Sequence, residues 1–211
     1  DVYKRQVRDA RCLARIPARS HPHAGRTRSA RDPPRPGSYV SELRAADLIG
    51  SLSLTVGLLP MAGVLELTEL RRVLEPHAAA LAAARIDAAT LEELSGVLDE
   101  IEASDDFEDH SRLDHAFHMT ISEVAGNDAL TSLIDVLRSR SRAYRIPDAG
   151  DAAELKLHSD AGHRAILRGL AAADPVAASA AASAHVAQTE YWVRRYTETD
   201  IVAEGSAVEP D

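Results

Sequence analysis

Asp114 and His118 stand four residues apart, a spacing that puts both side chains on one face of a helix. Phe117 and Ile121 flank them, so that face turns toward an apolar interior rather than toward solvent. His163 shares a helical face with Ile166 and Leu170, and His185 shares one with Ala181, Trp192 and Tyr196. Three imidazoles and one carboxylate aimed into a helical core make a donor set for a borderline divalent cation. Neutral imidazole nitrogen suits zinc, nickel, cobalt, iron or copper, and one carboxylate tolerates manganese as well. Four protein donors also leave positions open for water or a small oxygen ligand. Against this, a core-facing histidine is often just a hydrogen-bonded core residue, and periodicity alone leaves both readings open. His21, His23, His77, His110, His115 and His158 stay nearer the ordinary reading. The single cysteine, Cys12, excludes a disulfide framework and a thiolate-based zinc site.

These residues need helices to carry them, and from residue 41 onward the pattern is helix after helix. A helix over 41–56 followed by a Gly/Pro loop accounts for the uncharged run Leu48–Leu65, which Gly50, Gly57, Pro60 and Gly63 break as a membrane span. Val64–Ile86 sets Leu67, Leu70, Val73, Leu74, Ala78 and Leu81 on one stripe. Pro76 lies inside it, removes a backbone donor and is expected to kink it. Thr90 and Glu93 form a capping box that starts a helix to about Ala103. Asp106–Ala125 follows, with Phe107, Leu113, Phe117, Ile121 and Val124 apolar, and Gly126-Asn127 both ends it and caps the next helix. That helix spans Asp128–Arg145, and Ala152–Ala172 comes after it. Asp174-Pro175 then opens a last helix to about Thr199. No two consecutive alternating strands occur. The fold class is all-α, an antiparallel bundle of six to seven helices.

The net charge of -9 averages two unlike texts. Residues 1–37 carry 10 basic and 3 acidic side chains, a charge of +7, and show no apolar period. Residues 38–211 carry 14 basic and 30 acidic, a charge of -16. A basic arm is one reading of the first stretch. We favour another: Asp1–Gln6 (DVYKRQ) reads like a translated adapter end, and the Arg/Pro/His-rich text after it like a gene in the wrong frame. The absence of an apolar segment of signal-peptide type points to a cytoplasmic protein.

The segment from about 38 to 199 resembles the C-terminal effector-binding FCD domain of FadR-subfamily GntR transcription regulators. The resemblance is carried by ELRRVLEPHAAALAAARID (69–87), DHAFHMTISEVAGNDAL (114–130) and HRAILRGLAAADPVAASAAASAH (163–185). Its most specific element is Asp-x-x-x-His, then Gly-Asn, then two histidines 22 positions apart. It implies that Asp114, His118, His163 and His185 hold a divalent transition metal, zinc first, with nickel, manganese, cobalt or iron as alternatives. A departure is Gly162, where the family usually has Glu before the histidine.

The same resemblance implies a small organic-acid effector against the metal, gripped bidentately by arginine. Arg71 is the first candidate, and Arg138 and Arg142 are weaker ones. For Arg71 an i,i+4 salt bridge to Glu75 is an equal reading, and for Arg138 and Arg142 a solvated basic face. A homodimer is expected, with operator DNA read only by an intact N-terminal winged helix-turn-helix. RPGSYV (35–40) resembles the last wing strand of such a reader and VRDA (7–10) part of its recognition helix, but the text between them does not match. Residues 1–37 are therefore expected to be an unreliable, disordered remnant, 38–200 the effector-binding domain and 201–211 a disordered tail. The acidic remainder opposes duplex binding, so the chain as written is not expected to hold operator DNA by itself. Two rivals stand beside this reading: a helical metal-dependent hydrolase and a metal-free dimerisation module. Neither a His-Asp dipeptide nor a Glu-x-x-His pair occurs, and no enzyme is expected.

Overall fold

The computed structural model describes residues 44–56, 58, 59, 61–141 and 149–205, with the backbone alone at 61, 62, 140, 141, 149 and 197–205. The chain divides into two units, Asp1–Ser41 and Glu42–Asp211, and every described residue lies in the second. The regular elements among the described residues are all helical: α1 Ala45–Gly50, α2 Ser53–Val56, α3 Met61–Ala83, α4 Ala88–Ala103, α5 Phe107–Val124, α6 Asp128–Ser141, α7 Ala149–Ala171 and α8 Pro175–Gly205. The two short first segments leave six long helices as the bundle, in agreement with the all-α expectation. No described helix is long and apolar enough to cross a membrane.

α3 and α7 both pack along α8, α4 bridges α5 and α7, and α6 carries α1, α2 and one side of α3. The main core draws Ala79, Ala82 and Ala83 from α3, Leu94, Leu98 and Ile101 from α4, and Leu113, Phe117 and Ile121 from α5. Ile166 and Leu170 of α7 and Ala178 and Ala182 of α8 complete it. The core residues of α3 and α8 are alanines, which lets neighbouring helices approach closely. Gly169 shows how closely: a Cβ there would sit 2.6 Å from the Ala178 nitrogen, so only glycine fits at the α7–α8 crossing.

Several local readings need correction. The stripe on α3 is rotated: Leu70 is 51% and Val73 69% exposed, whereas Val64, Thr68, Arg71, Glu75, Ala78 and Ala82 face inward. The inward face mixes polar with small residues, so an apolar period overlooks it. α3 also runs through Pro76 without a break. The helix expected over 41–56 is two segments, because Ser51, Ser53 and Thr55 hydroxyls donate to the carbonyls of Leu48, Gly50 and Leu52 and compete with helical pairing. α4 starts two residues earlier than Thr90, since the Asp87 carboxylate accepts from the Thr90 amide at 2.8 Å and takes the cap. α8 continues to Gly205 rather than ending at Thr199, as no glycine or proline intervenes, so the first five residues of the segment 201–211 extend that helix. The stretch 1–37, with Cys12, His21 and His23, and the end of the helix expected to reach Arg145 lie outside the described residues.

The caps at Asp106, Asn127 and Asp174 form as expected: Asp106 accepts from the Asp109 amide, Asn127 from Ala129 and Leu130, and Asp174 from Val176 and Ala177. Gly126 adopts φ +74°, the left-handed turn that ends α5. The matching turn after α7 is made by Ala173 at φ 49°, and the Asp174 amide donates back to the Gly169 carbonyl. An L-residue pays about 1–2 kcal/mol there and glycine does not. Ala173→Gly is therefore expected to stabilise the protein by roughly 0.5–1 kcal/mol after its greater unfolded-state entropy is subtracted. Urea unfolding checks this, and a lower midpoint would contradict it.

Candidate metal centre

Three helices converge on one point. α5 presents Asp114 and His118 a turn apart, α7 presents His163 and α8 presents His185. The His118 Nε2 lies 3.2 Å from both the His163 Nε2 and the His185 Nε2. The Asp114 Oδ1 lies 3.0 Å from the His163 Nε2 and 3.7 Å from the His118 Nε2. One donor atom from each of the four falls within 4.8 Å of every other. Donors held about 2.0–2.2 Å from a common cation stand roughly 3–4 Å apart, so this spacing fits one ion. The imidazoles are 5%, 0% and 5% exposed for His118, His163 and His185, and Asp114 is 21% exposed. The site is thus closed on its histidine side and open on its carboxylate side. Phe117 supports it from beneath, its ring edge-on to His118 at 5.3 Å and to His163 at 5.1 Å.

The protonation states suit a cation. Burial, with the positive charge of Arg138 nearby, pushes the His118 imidazole down to about 4, and burial holds His185 well below its ordinary value. Both are therefore neutral near pH 7 and offer lone pairs. Burial alone would raise Asp114, but Arg138 and the His163 hydrogen bond outweigh it and keep the carboxyl ionised far below its usual range.

A carboxylate on α3 orients the cluster. The Glu75 Oε2 lies 3.2 Å from the His118 Nδ1, so His118 donates through Nδ1 and turns its Nε2 lone pair into the site. Glu75 accepts from the Arg71 Nε at 2.6 Å and from the Arg138 Nη1 at 3.0 and 3.2 Å. Arg138 also donates through Nη2 to the Asp114 Oδ2. Burial works to raise Glu75, yet the two guanidiniums hold it well below the carboxylate range. Arg71, Glu75 and Arg138 are 3%, 5% and 3% exposed. The salt bridge between Arg71 and Glu75 thus exists, while the solvated basic face does not describe Arg138. Arg142 lies outside the described residues.

A cavity of about 560 Å³ opens beside the cluster. Asp114, His185, Arg71 and Arg138 line its inner end, and Phe107, His110, Lys156 and Trp192 are among the residues of its remaining wall. Of the other histidines, His110 faces Asp160 at 3.9 Å and His115 faces Asp135 at 3.4 Å, whereas His77 and His158 are exposed.

The FCD domain family matches residues 66–188, more than half of the chain and the whole of the cluster. The chain belongs to the FCD domain family. Among solved structures it is similar to the GntR protein of Streptococcus agalactiae at 30% identity and a TM-score of 0.53, over 61% of this chain and 58% of that one. It is also similar in fold to McbR/YncC of E. coli, at 21% identity and a TM-score of 0.57, over 62% and 67% of the two chains. The FCD domain chain therefore spans 58% of the length of the first neighbour. No curated protein matches it. Membership and the shared fold make it a helical FCD domain.

Glu75 is the site residue that sequence reasoning passed over as a mere salt-bridge partner of Arg71. The signal was present: Arg71 and Glu75 fall on the same face as Ala78 and Ala82, so both had to be buried together. Glu75→Ala would leave two buried guanidiniums without their shared anion and is expected to cost about 3–5 kcal/mol, read from the denaturation midpoint. A loss below 1 kcal/mol would contradict the network. The pH dependence follows from His118. An unfolded imidazole takes up its proton near 6.5, while the folded one resists until about 4, so the unfolded state binds more protons between these values. Stability of the metal-free protein should fall on acidification through that window, at up to about 1.4 kcal/mol per pH unit for one such group. Melting curves between pH 7 and 4 check this, and a flat profile would contradict it.

Proposed function

We propose that the chain is the sensing half of a GntR/FadR-type regulator, in which Asp114, His118, His163 and His185 hold a divalent transition metal. Zinc is the first choice, with nickel, manganese, cobalt or iron as alternatives. A small carboxylate effector occupies the adjacent cavity, meeting the metal at one end and Arg71 and Arg138 at its flank. Arg142 is a further candidate on sequence grounds. The observation that carries this reading is the shared boundary: the cavity wall includes two of the four ligand residues and both buried arginines. A bound cation would act there as a Lewis acid toward an oxygen donor, and the chain's own residues would orient and enclose that donor.

Effector binding favours one arrangement of a homodimer and thereby alters operator DNA binding through an N-terminal reader, a coupling that must be reciprocal. This reading places the protein in the cytoplasm, where operators are. Without the cation, the same helices would serve as a dimerisation module only.

A melting-temperature screen of small organic acids, run with and without chelator, tests the proposal. A true effector at 100 times its Kd should add about 2.7 kcal/mol of stability in the metal-loaded protein, lose that effect on chelation and be recovered unchanged. Metal analysis of the purified protein against His118→Ala and His163→Ala accompanies it. Stoichiometric metal in the parent and its loss in both variants is expected. Equal metal content in all three, or turnover of the acid, would overturn the reading.

A further inference from the structure

The three imidazoles of the cluster are not held alike. The His118 Nδ1 has the Glu75 carboxylate behind it, the hydrogen bond that normally fixes the tautomer and tilt of a metal-binding histidine. The His185 Nδ1 is buried and has no hydrogen-bond partner among the described residues. What lies behind it is the backbone of α7 at Gly162. A Cβ built on Gly162 would stand 2.7 Å from the His185 Nδ1, 3.3 Å from its Cγ and 3.4 Å from its Cβ, and nothing outside this side chain is nearer. The imidazole therefore fills the space that any other residue at 162 would need, with its rear edge on α7 and its Nε2 3.2 Å from the His118 Nε2.

The geometry points to Gly162 as the positioning residue for His185: the missing side chain on α7 sets where the α8 imidazole sits in the cluster. This rests on the metal reading above and deepens it. His118 has a charge behind its Nδ1, whereas His185 has only the α7 backbone there, so a methyl group at 162 would displace its ring. The clash falls on the His185 side chain and not on backbone, so the imidazole is what must give way. This differs from Gly169, whose missing Cβ would strike the Ala178 backbone. Alanine in place of a helical glycine also favours the helix itself.

Cobalt(II) titration of the full chain tests the assignment, with its visible absorption reporting the ligand set and a competing chelator giving Kd. Gly162→Ala is expected to raise the Kd about 10-fold or more, the scale of losing a ligand's orienting contact, and to change the spectrum. The metal-free melting temperature should stay close to the parent's. Gly96→Ala on α4, where an added Cβ meets nothing within 4 Å, should leave the Kd and the spectrum unchanged. The deciding comparison is a double-mutant cycle. If Gly162 acts through His185, adding Gly162→Ala to His185→Ala changes neither the Kd nor the spectrum further. If Gly162→Ala alone impairs folding, the double variant, which lacks the ring, must recover it. Parental affinity in Gly162→Ala, an equal loss in the His185→Ala background, or a double variant that stays unfolded would each overturn the assignment while leaving the metal reading intact. A parent chain that binds no cobalt would overturn both.

Discussion

The carboxylate of Glu75 is the contact on which the site depends. It is buried, it accepts from Arg71 and Arg138, and it faces the His118 Nδ1, so one side chain on α3 ties together α5 and α6 as well. Arg138 extends the tie to Asp114. Two guanidiniums and two carboxylates cancel, so the charged side chains of the network are balanced before any ligand arrives. Neutrality is what allows such groups to be buried at all, since an unpaired ion in a helical core costs several kcal/mol. It also means that a divalent cation brings two uncompensated charges with it. An anionic partner in the adjacent cavity would restore the balance, which is the electrostatic basis of the proposed pairing of metal and carboxylate.

This network explains why α3 looks as it does. Its inward face must deliver Arg71 and Glu75 to the site and still pack along α8, so the remaining inward positions are small: Ala78, Ala79, Ala82 and Ala83. Bulk is supplied instead by α4 and α5, through Leu94, Leu98, Ile101 and Phe117. The division places a polar, charge-balanced region at one end of the bundle and a dense apolar core at the other, with Phe117 at the boundary, packed against two ligand histidines on one side and the aliphatic core on the other.

Much of this was legible in the residues. Asp114 and His118 share a face by spacing alone, and the resemblance singled out His163 and His185; the structure brings all four together. The capping residues Asp106, Asn127 and Asp174 were legible because a short polar side chain before a helix has few other roles. The face of α3 was not. Counting apolar residues selects Leu70 and Val73, which are exposed, because the buried face earns its burial through salt bridges and small side chains rather than hydrophobicity. Glu75 was hidden for the same reason: its i,i+4 partner Arg71 was visible, but Arg138 and His118 reach it from other helices, 63 and 43 positions along the chain. Gly162 could be seen as a departure from the family pattern, yet its relation to His185 exists only where α7 meets α8.

The placement of Arg138 gives the proposed sensing role a physical route. α6 carries Arg138 at the inner end of the cavity, and the same helix is the one on which α1 and α2 rest. Arg44, just before α1, also reaches Asp128 at the start of α6. A ligand that drew on Arg138 would compete with Glu75 and Asp114 for its donors, and any adjustment of α6 would reach the first described residues of the domain through direct packing. Contact continuity becomes coupling only if α6 has two arrangements that ligand and reader each favour differently. The Arg138 network supplies a reason for two: its guanidinium has anions on both sides, Glu75 on α3 and Asp114 on α5, and a third in the cavity would change which helix it holds most firmly.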